Sequence, residues 1–287
     1  MAKRTSKTFE PYHHPFKMGR KRPLARCPRF SLSNYLMKSL PAPPASCDYS
    51  GNARKALSEI YLNDKLGDCV IAGIGHVVGV LTAGAGKQYT YDNEEIIELY
   101  SAIGGYVPGH PNTDNGCDEQ TALNYWQHYG APSGTHQIAG WIAVNGADPS
   151  EYRTALWLFE NLYFGLELPD KWVSPMPNAA GFTWDVAGPA NPDNGHCVVG
   201  VGYSGKGVKI CTWGMLGTMT DAAIAEYATT VGSGELYTVV SQDAINKATQ
   251  KAPMGFDWSQ LIADFDSMGG SVSPPSSARS MKKRRRR

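Results

Sequence analysis

The stretch from Leu62 to Leu81 constrains this chain most. It reads Leu-Asn-Asp-Lys-Leu-Gly-Asp-Cys and then Val-Ile-Ala-Gly-Ile-Gly-His-Val-Val-Gly-Val-Leu, so polar and turn-forming residues give way at Cys69 to an apolar run with small residues. The pattern predicts a buried helix with Cys69 in its first turn. That position carries chemical meaning, because free N–H groups and the positive end of the helix dipole stabilise a thiolate, the nucleophilic form of cysteine. A buried cysteine is ordinarily an inert filler. Chemistry at Cys69 therefore requires a base from elsewhere in the chain.

The chain has 287 residues and 42% hydrophobic content, enough to bury a substantial core. The longest apolar run, Cys69 to Gly84, is 16 residues, interrupted by His76 and several glycines, and is too short to span a bilayer. No apolar segment follows the start Met1-Ala2-Lys3-Arg4-Thr5, so no secretory signal is expected. The reading is of a soluble chain, cytoplasmic or virion-associated. Six scattered cysteines without a CxxC pair point to free thiols and away from zinc, and neither a metal nor a cofactor is expected. The net charge of +1 hides an asymmetry: residues 1–29 hold nine Lys/Arg against one acid, and residues 268–287 hold seven against none. An acidic body thus carries two basic ends. Six consecutive cations, Lys282, Lys283, Arg284, Arg285, Arg286 and Arg287, suit nonspecific binding of nucleic acid or another polyanion; the plainer reading is a solvated tail or a receptor-read address.

Residues 1–55, rich in Pro, His, Arg and Lys and without a sustained period, read as a basic extended arm that either drapes over the body or stays mobile. Residues 56–267 read as the body. Its first part, about 56–133, is mainly helical: after the Cys69 helix come one begun by Asp92 and one over Glu119–Tyr129, where Ala122, Tyr125, Trp126 and Tyr129 share a face. The intervening Thr113–Glu119 segment resembles a fragment of a calcium loop but lacks its register, and reads as a polar turn. From about 134 to 267 strands dominate: Gln137–Val144, Tyr163–Leu168, Phe182–Val186, His196–Tyr203, Val208–Trp213 and Glu235–Val240, with helices over Pro149–Leu162, Thr220–Thr229 and Asp257–Phe265. The class is α+β. Residues 268–287 read as a disordered basic tail.

His196 opens an apolar strand directly after the turn-forming Asn191-Pro192-Asp193-Asn194-Gly195. A cysteine at a helix start and a histidine at a strand start can form a thiol-imidazole pair, in which the imidazole takes the thiol proton and later protonates the leaving group. These motifs resemble the papain-like cysteine peptidases. Gly67-Asp68-Cys69 is similar to that family's Gly-Ser-Cys, and Asn63 stands six residues before the cysteine, where the family has its oxyanion-hole Gln. Gly195-His196-Cys197-Val198-Val199-Gly200-Val201-Gly202-Tyr203 is similar to Asp-His-Ala-Val-x-x-Val-Gly-Tyr, Cys211-Thr212-Trp213-Gly214 to Asn-Ser-Trp-Gly, and Gly234-Glu235-Leu236-Tyr237 to Gly-Glu-x-Gly-Tyr. The resemblance covers roughly Tyr61 to Val240 and extends to uncharacterised bacterial and phage proteins that share Gly-Asp-Cys and Thr-Trp-Gly.

The resemblance implies a two-lobed fold, with a helical lobe built on the Cys-bearing helix and an antiparallel sheet lobe. It implies a peptide or amide substrate, a Cys69–His196 pair and Asn63 aiding the oxyanion. Two departures follow. Cys211 aligns with the family's imidazole-orienting Asn and is a poor acceptor for an Nδ1 proton, so Thr212 or a carboxylate such as Asp185 has to supply the contact. No helical prosegment is evident in residues 1–60. A peptidoglycan amidase is a neighbouring option, since Asp-Cys and Gly-His pairs occur there too, but the 127-residue separation of Cys69 and His196 and the Trp-Gly motif favour the papain-like pattern. The alternative reading is a catalytically inactive papain-fold module, structural or binding, in a virion or nucleoprotein particle.

Overall fold

Side-chain caps start two of the four helices described in the first half. The computed structural model describes residues 16–22, 30–230, 233–252 and 254–269. After a short strand β1 (Cys47–Asp48) come helices α1 (Arg54–Leu57), α2 (Cys69–Gly84), α3 (Asn93–Gly104) and α4 (Glu119–Tyr129). The Asp92 carboxylate accepts the Glu95 N–H while the Glu95 side chain accepts the Asp92 N–H, a reciprocal cap that starts α3. Asp118 starts α4 by accepting from Thr121 N–H.

The second half alternates strand and helix: β2 (Gly140–Ala143), α5 (Pro149–Phe159), β3 (Leu162–Glu167), α6 (Asp170–Val173), β4 (Thr183–Trp184), β5 (Gly195–Ser204), β6 (Gly207–Thr212), β7 (Met215–Met219), α7 (Asp221–Tyr227), β8 (Glu235–Val240), α8 (Gln242–Lys251) and α9 (Trp258–Ser267). The strands form one sheet in the order β2-β8-β3-β5-β6-β7-β4, with β1 added along β5. Its pairings are antiparallel except that of β4 with β7. The class is mixed α+β.

The sheet is buried on both faces, because alternate residues of each strand enter different clusters. Tyr163, Cys197, Val199, Val201, Tyr237 and Val239 pack with α2, α3 and α4, while Leu162, Phe164, Leu166, Val198, Leu236 and Val240 pack with α5, α8 and α9. Small residues in α2 set how closely it approaches. A Cβ on Gly73 would stand 2.8 Å from the Tyr163 ring and 2.9 Å from Cys197 Sγ, and one on Gly79 would stand 2.2 Å from Ala56 Cβ. The glycines that interrupt the apolar run are therefore what lets α2 lie flat on the sheet and on α1.

Besides the short β1, α1 and α6, two longer elements lie outside the sequence reading. Strand β7 follows a reversal at Trp213 and Gly214, whose φ values are 49° and 71°. Helix α8 starts at Ser241, which accepts the Ala244 N–H, and buries Ala244, Ile245 and Ala248 at helical spacing. The expected strand at Phe182–Val186 shortens to Thr183–Trp184. Among the described residues no helix is long and apolar enough to cross a membrane. Cys47, Cys69, Cys117, Cys197 and Cys211 are free thiols.

Candidate active site

A brace holds the loop before Cys69. Asp114 Oδ1 accepts from the Gly67 N–H at 2.9 Å and from the Tyr100 hydroxyl at 2.7 Å. The polar segment that resembles a calcium loop thus fixes the backbone two residues before the cysteine. Asp68 is the N-cap of α2, but its side chain caps nothing; its buried Oδ1 accepts from Asn63 Nδ2 at 3.2 Å. Burial pushes its pKa well above the usual carboxylate range, and the Asn63 hydrogen bond opposes that rise.

Cys69 is the first residue of α2 and is 2% exposed. Burial pushes its thiol up to about 12, while the backbone N–H groups of Cys197 and Gly19 beside the sulfur pull the other way. The helix start therefore does not by itself yield a thiolate. Desolvation outweighs it where the arm residue Gly19 lies against the sulfur.

His196, the second residue of β5, is 1% exposed and stacks on Trp213, with ring centroids 4.4 Å apart and planes 23° apart. The turn at Trp213–Gly214 is what lifts the indole over the imidazole. Nε2 of His196 lies 2.7 Å from Thr212 Oγ1, and its buried Nδ1 has no hydrogen-bond partner. Burial lowers the imidazole pKa to about 3, so it is neutral at ordinary pH. Successive strand residues face opposite ways. Cys211 accordingly points into the α2 side of the core, its thiol donating to Leu57 O at 3.3 Å, while Thr212 meets the imidazole. The expectation of an Nδ1 contact is corrected: the hydroxyl engages Nε2. Asp185 is not behind the ring, since it accepts from Thr220 Oγ1 and Val186 N–H at the surface.

Asn63 is buried, and its Nδ2 donates to Asp68 Oδ1, to Leu66 O at 3.1 Å and to Lys17 O at 3.3 Å. The structure thus brings His196 and Thr212 into direct contact, sets Asn63 on the residue preceding Cys69, and places the Cys69 sulfur beside the backbone of Cys197, which follows His196.

The arm was expected, but the sequence reading missed its path over the site. Residues 16–22 run across the whole constellation: Lys17 N–H donates to Asn63 O, Gly19 and Arg20 N–H to Gly195 O, and Lys21 N–H to Cys117 O, while Cys117 N–H donates to Gly19 O. Phe16 stacks on Trp213, with centroids 5.2 Å apart. A basic, aperiodic composition gives no sign of such a path, and the one local signal is Gly19 itself. Lys282 to Arg287 and most of residues 1–29 lie outside the described residues.

No family model and no curated protein matches the chain. Solved structures do. Xylellain, a cysteine protease from Xylella fastidiosa, superposes with a TM-score of 0.60 at 14% identity, covering 82% of this chain and 99% of that one. Procathepsin L2 from the larval midgut of Tenebrio molitor superposes with a TM-score of 0.52 at 12% identity, covering 79% of this chain and 78% of that one. The fold is that of the papain-like cysteine proteases. At these identities the likeness speaks for the fold, and the chemistry has to be argued from the residues.

Proposed function

We propose that this protein is a thiol hydrolase of peptide or amide bonds, with a helical lobe of about residues 56–133 and a sheet lobe of about residues 134–267 on either side of its site. Cys69 is the nucleophile, His196 the base, Thr212 the imidazole's positioning residue, and Asn63 a donor to the oxyanion. The observation that carries the reading is the split between the two imidazole nitrogens: Nε2 is held by Thr212 Oγ1 at 2.7 Å, and Nδ1 is buried without a partner. With the hydroxyl accepting the Nε2 proton, Nδ1 keeps a lone pair for the thiol.

In the first half-reaction Nδ1 takes the thiol proton and Sγ bonds to the carbonyl carbon. The C–N bond then breaks as the imidazolium returns its proton to the amine, leaving a thioester. Water, deprotonated by the same imidazole, displaces the thiolate and releases the acid. The inactive-module alternative rested on Cys211 at the orienting position and on the basic ends, and the Thr212 contact counts against the first of these. Digestion of a mixed peptide library, read by mass spectrometry, tests the reading. Cleavage that disappears in Cys69→Ala is expected; cleavage that persists in Cys69→Ala, or none from any form of the chain, contradicts it.

A further inference from the structure

Arg20 carries a charge into the interior. Its side chain and that of Glu119 are 0% exposed, and that of Glu235 is 1% exposed. Nε donates to Glu119 Oε2 at 3.2 Å, Nη2 to Glu235 Oε1 at 2.9 Å and Nη1 to Ser233 O at 3.1 Å. Behind the carboxylates, Gln120 Nε2 donates to Tyr237 Oη at 2.7 Å and to Glu235 Oε2 at 3.3 Å, and Tyr237 Oη also donates to Glu235 Oε2. Every acceptor comes from the body and the cation alone from the arm. Burying charge is costly unless hydrogen bonds compensate it, and all three guanidinium nitrogens are engaged here, so a cation of this shape is what the pocket is built for.

The backbone around Arg20 is held as an extended peptide is held at a sheet edge. Cys117 gives its N–H and its C=O to the residues on either side of Arg20, and Gly195 accepts from the Gly19 and Arg20 N–H groups. Glycines clear the track: a Cβ on Gly116 would lie 1.8 Å from Gly19 O, and one on Gly195 would lie 2.2 Å from Arg20 O. The residue next to Arg20 is the one whose N–H lies beside the Cys69 sulfur.

The charge balance suits a single guanidinium. Burial and the neighbouring Glu235 push Glu119 well up, against the pull of Arg20. Glu235, despite burial, is held below its usual range by its neighbours Glu119 and Arg20. The two carboxyl groups are thus shifted in opposite directions around one cation.

We infer that Glu119 and Glu235, backed by Gln120 and Tyr237, form a specificity pocket for an arginine side chain in a peptide lying across Cys69, and that Arg20 is its resident intramolecular occupant. This deepens the hydrolase reading and rests on it for the word substrate: peptides bearing arginine at the position that enters this pocket are favoured.

Binding separates the pocket from the chemistry. A Cβ on Gly19 would stand 1.7 Å from Gly67 O, so Gly19→Leu unseats the arm in the full chain; Cys69→Ala beside it removes any turnover. A capped peptide with the sequence of residues 16–22 is then titrated by calorimetry against this double variant, alongside the same peptide with citrulline, the neutral isostere, at the Arg20 position. The arginine peptide is expected to bind at least about tenfold tighter, with Glu235→Gln erasing the difference. Equal affinity for the two peptides, or no binding to a variant that still melts cooperatively, overturns the pocket and makes Arg20 a structural staple. If Gly19→Leu does not fold, Arg20→Ala in the full chain replaces it, with Cys69 alkylation as the readout. Acceleration of at least about tenfold, reversed by the arginine peptide in excess over the citrulline one, supports the proposal, and an unchanged rate overturns it. Should the peptide bind through its arginine while the thiol-bearing chain cleaves nothing, the pocket stands and the hydrolase reading falls.

Discussion

Two buried histidines invite comparison. His76, on α2, is 3% exposed, and burial lowers its pKa to about 4; His196 is 1% exposed, with its pKa lowered to about 3. By burial and charge they are twins. They differ in which nitrogen is engaged. Nδ1 of His76 lies 3.0 Å from Ala56 O, a group that can only accept, so that nitrogen carries the proton and ties α2 to α1. His196 is held through Nε2 by a hydroxyl, and its Nδ1 is left over. Burial and a depressed pKa therefore do not mark a functional imidazole. What sets His196 apart is its buried Nδ1 without a structural partner.

Substitution is the severest way to break that contrast. His196→Ala is expected to lower kcat/KM by at least about a thousandfold, whereas His76→Gln stays within about threefold. Equal losses would make both residues structural. Next in size is Thr212. Thr212→Val removes the contact that fixes the ring and should cost about ten- to a hundredfold in kcat with little change in KM, while Thr212→Ser restores most of it. A Thr212→Val enzyme with unchanged kcat would mean that Trp213 stacking alone orients the ring.

The smallest effect is on stability and tests where the two histidines are alike. Each has a folded pKa below the unfolded value of 6.5, so between those values the unfolded chain binds the extra proton. Each histidine is without penalty above about pH 6.5 and destabilises as pH falls, by up to about 1.4 kcal/mol per pH unit, until the folded pKa is reached. Urea titrations at pH 6 and pH 5 should show a shallower pH dependence in His76→Gln by about that amount. An unaltered dependence would show that His76 is protonated or exposed in solution.

How far the sequence disclosed this arrangement depends on which force set each part. Elements fixed by local signals were legible: Asp92 announces α3, the shared face of Ala122, Tyr125, Trp126 and Tyr129 announces α4, and the apolar run from His196 announces β5. The small residues of α2 signalled close packing, though not its partners, Tyr163 and Ala56, which only the tertiary fold brings near. Strand β7 was missed because it follows a positive-φ turn at Trp213, a residue type that gives no turn signal. In the site, Cys69, His196 and Thr212 could be named from motifs, but not the nitrogen that Thr212 engages. That depends on strand alternation sending Cys211 into the core. The Arg20 pocket was not legible, since Glu119 reads as a first-turn helix acid and Glu235 as a strand residue until the arm joins them.

The central claim is that Cys69 and His196 act as a pair, and the pH dependence of alkylation at Cys69 tests it most directly. In the full chain carrying Gly19→Leu, iodoacetamide labelling resolved by peptide mass spectrometry should show Cys69 reacting at pH 5.5 at least about tenfold faster than free cysteine, whose thiol is protonated there. His196→Ala should abolish that advantage and return the rise in rate to alkaline pH. A Cys69 that labels no faster than free cysteine at pH 5.5, or as fast without His196 as with it, would contradict the account.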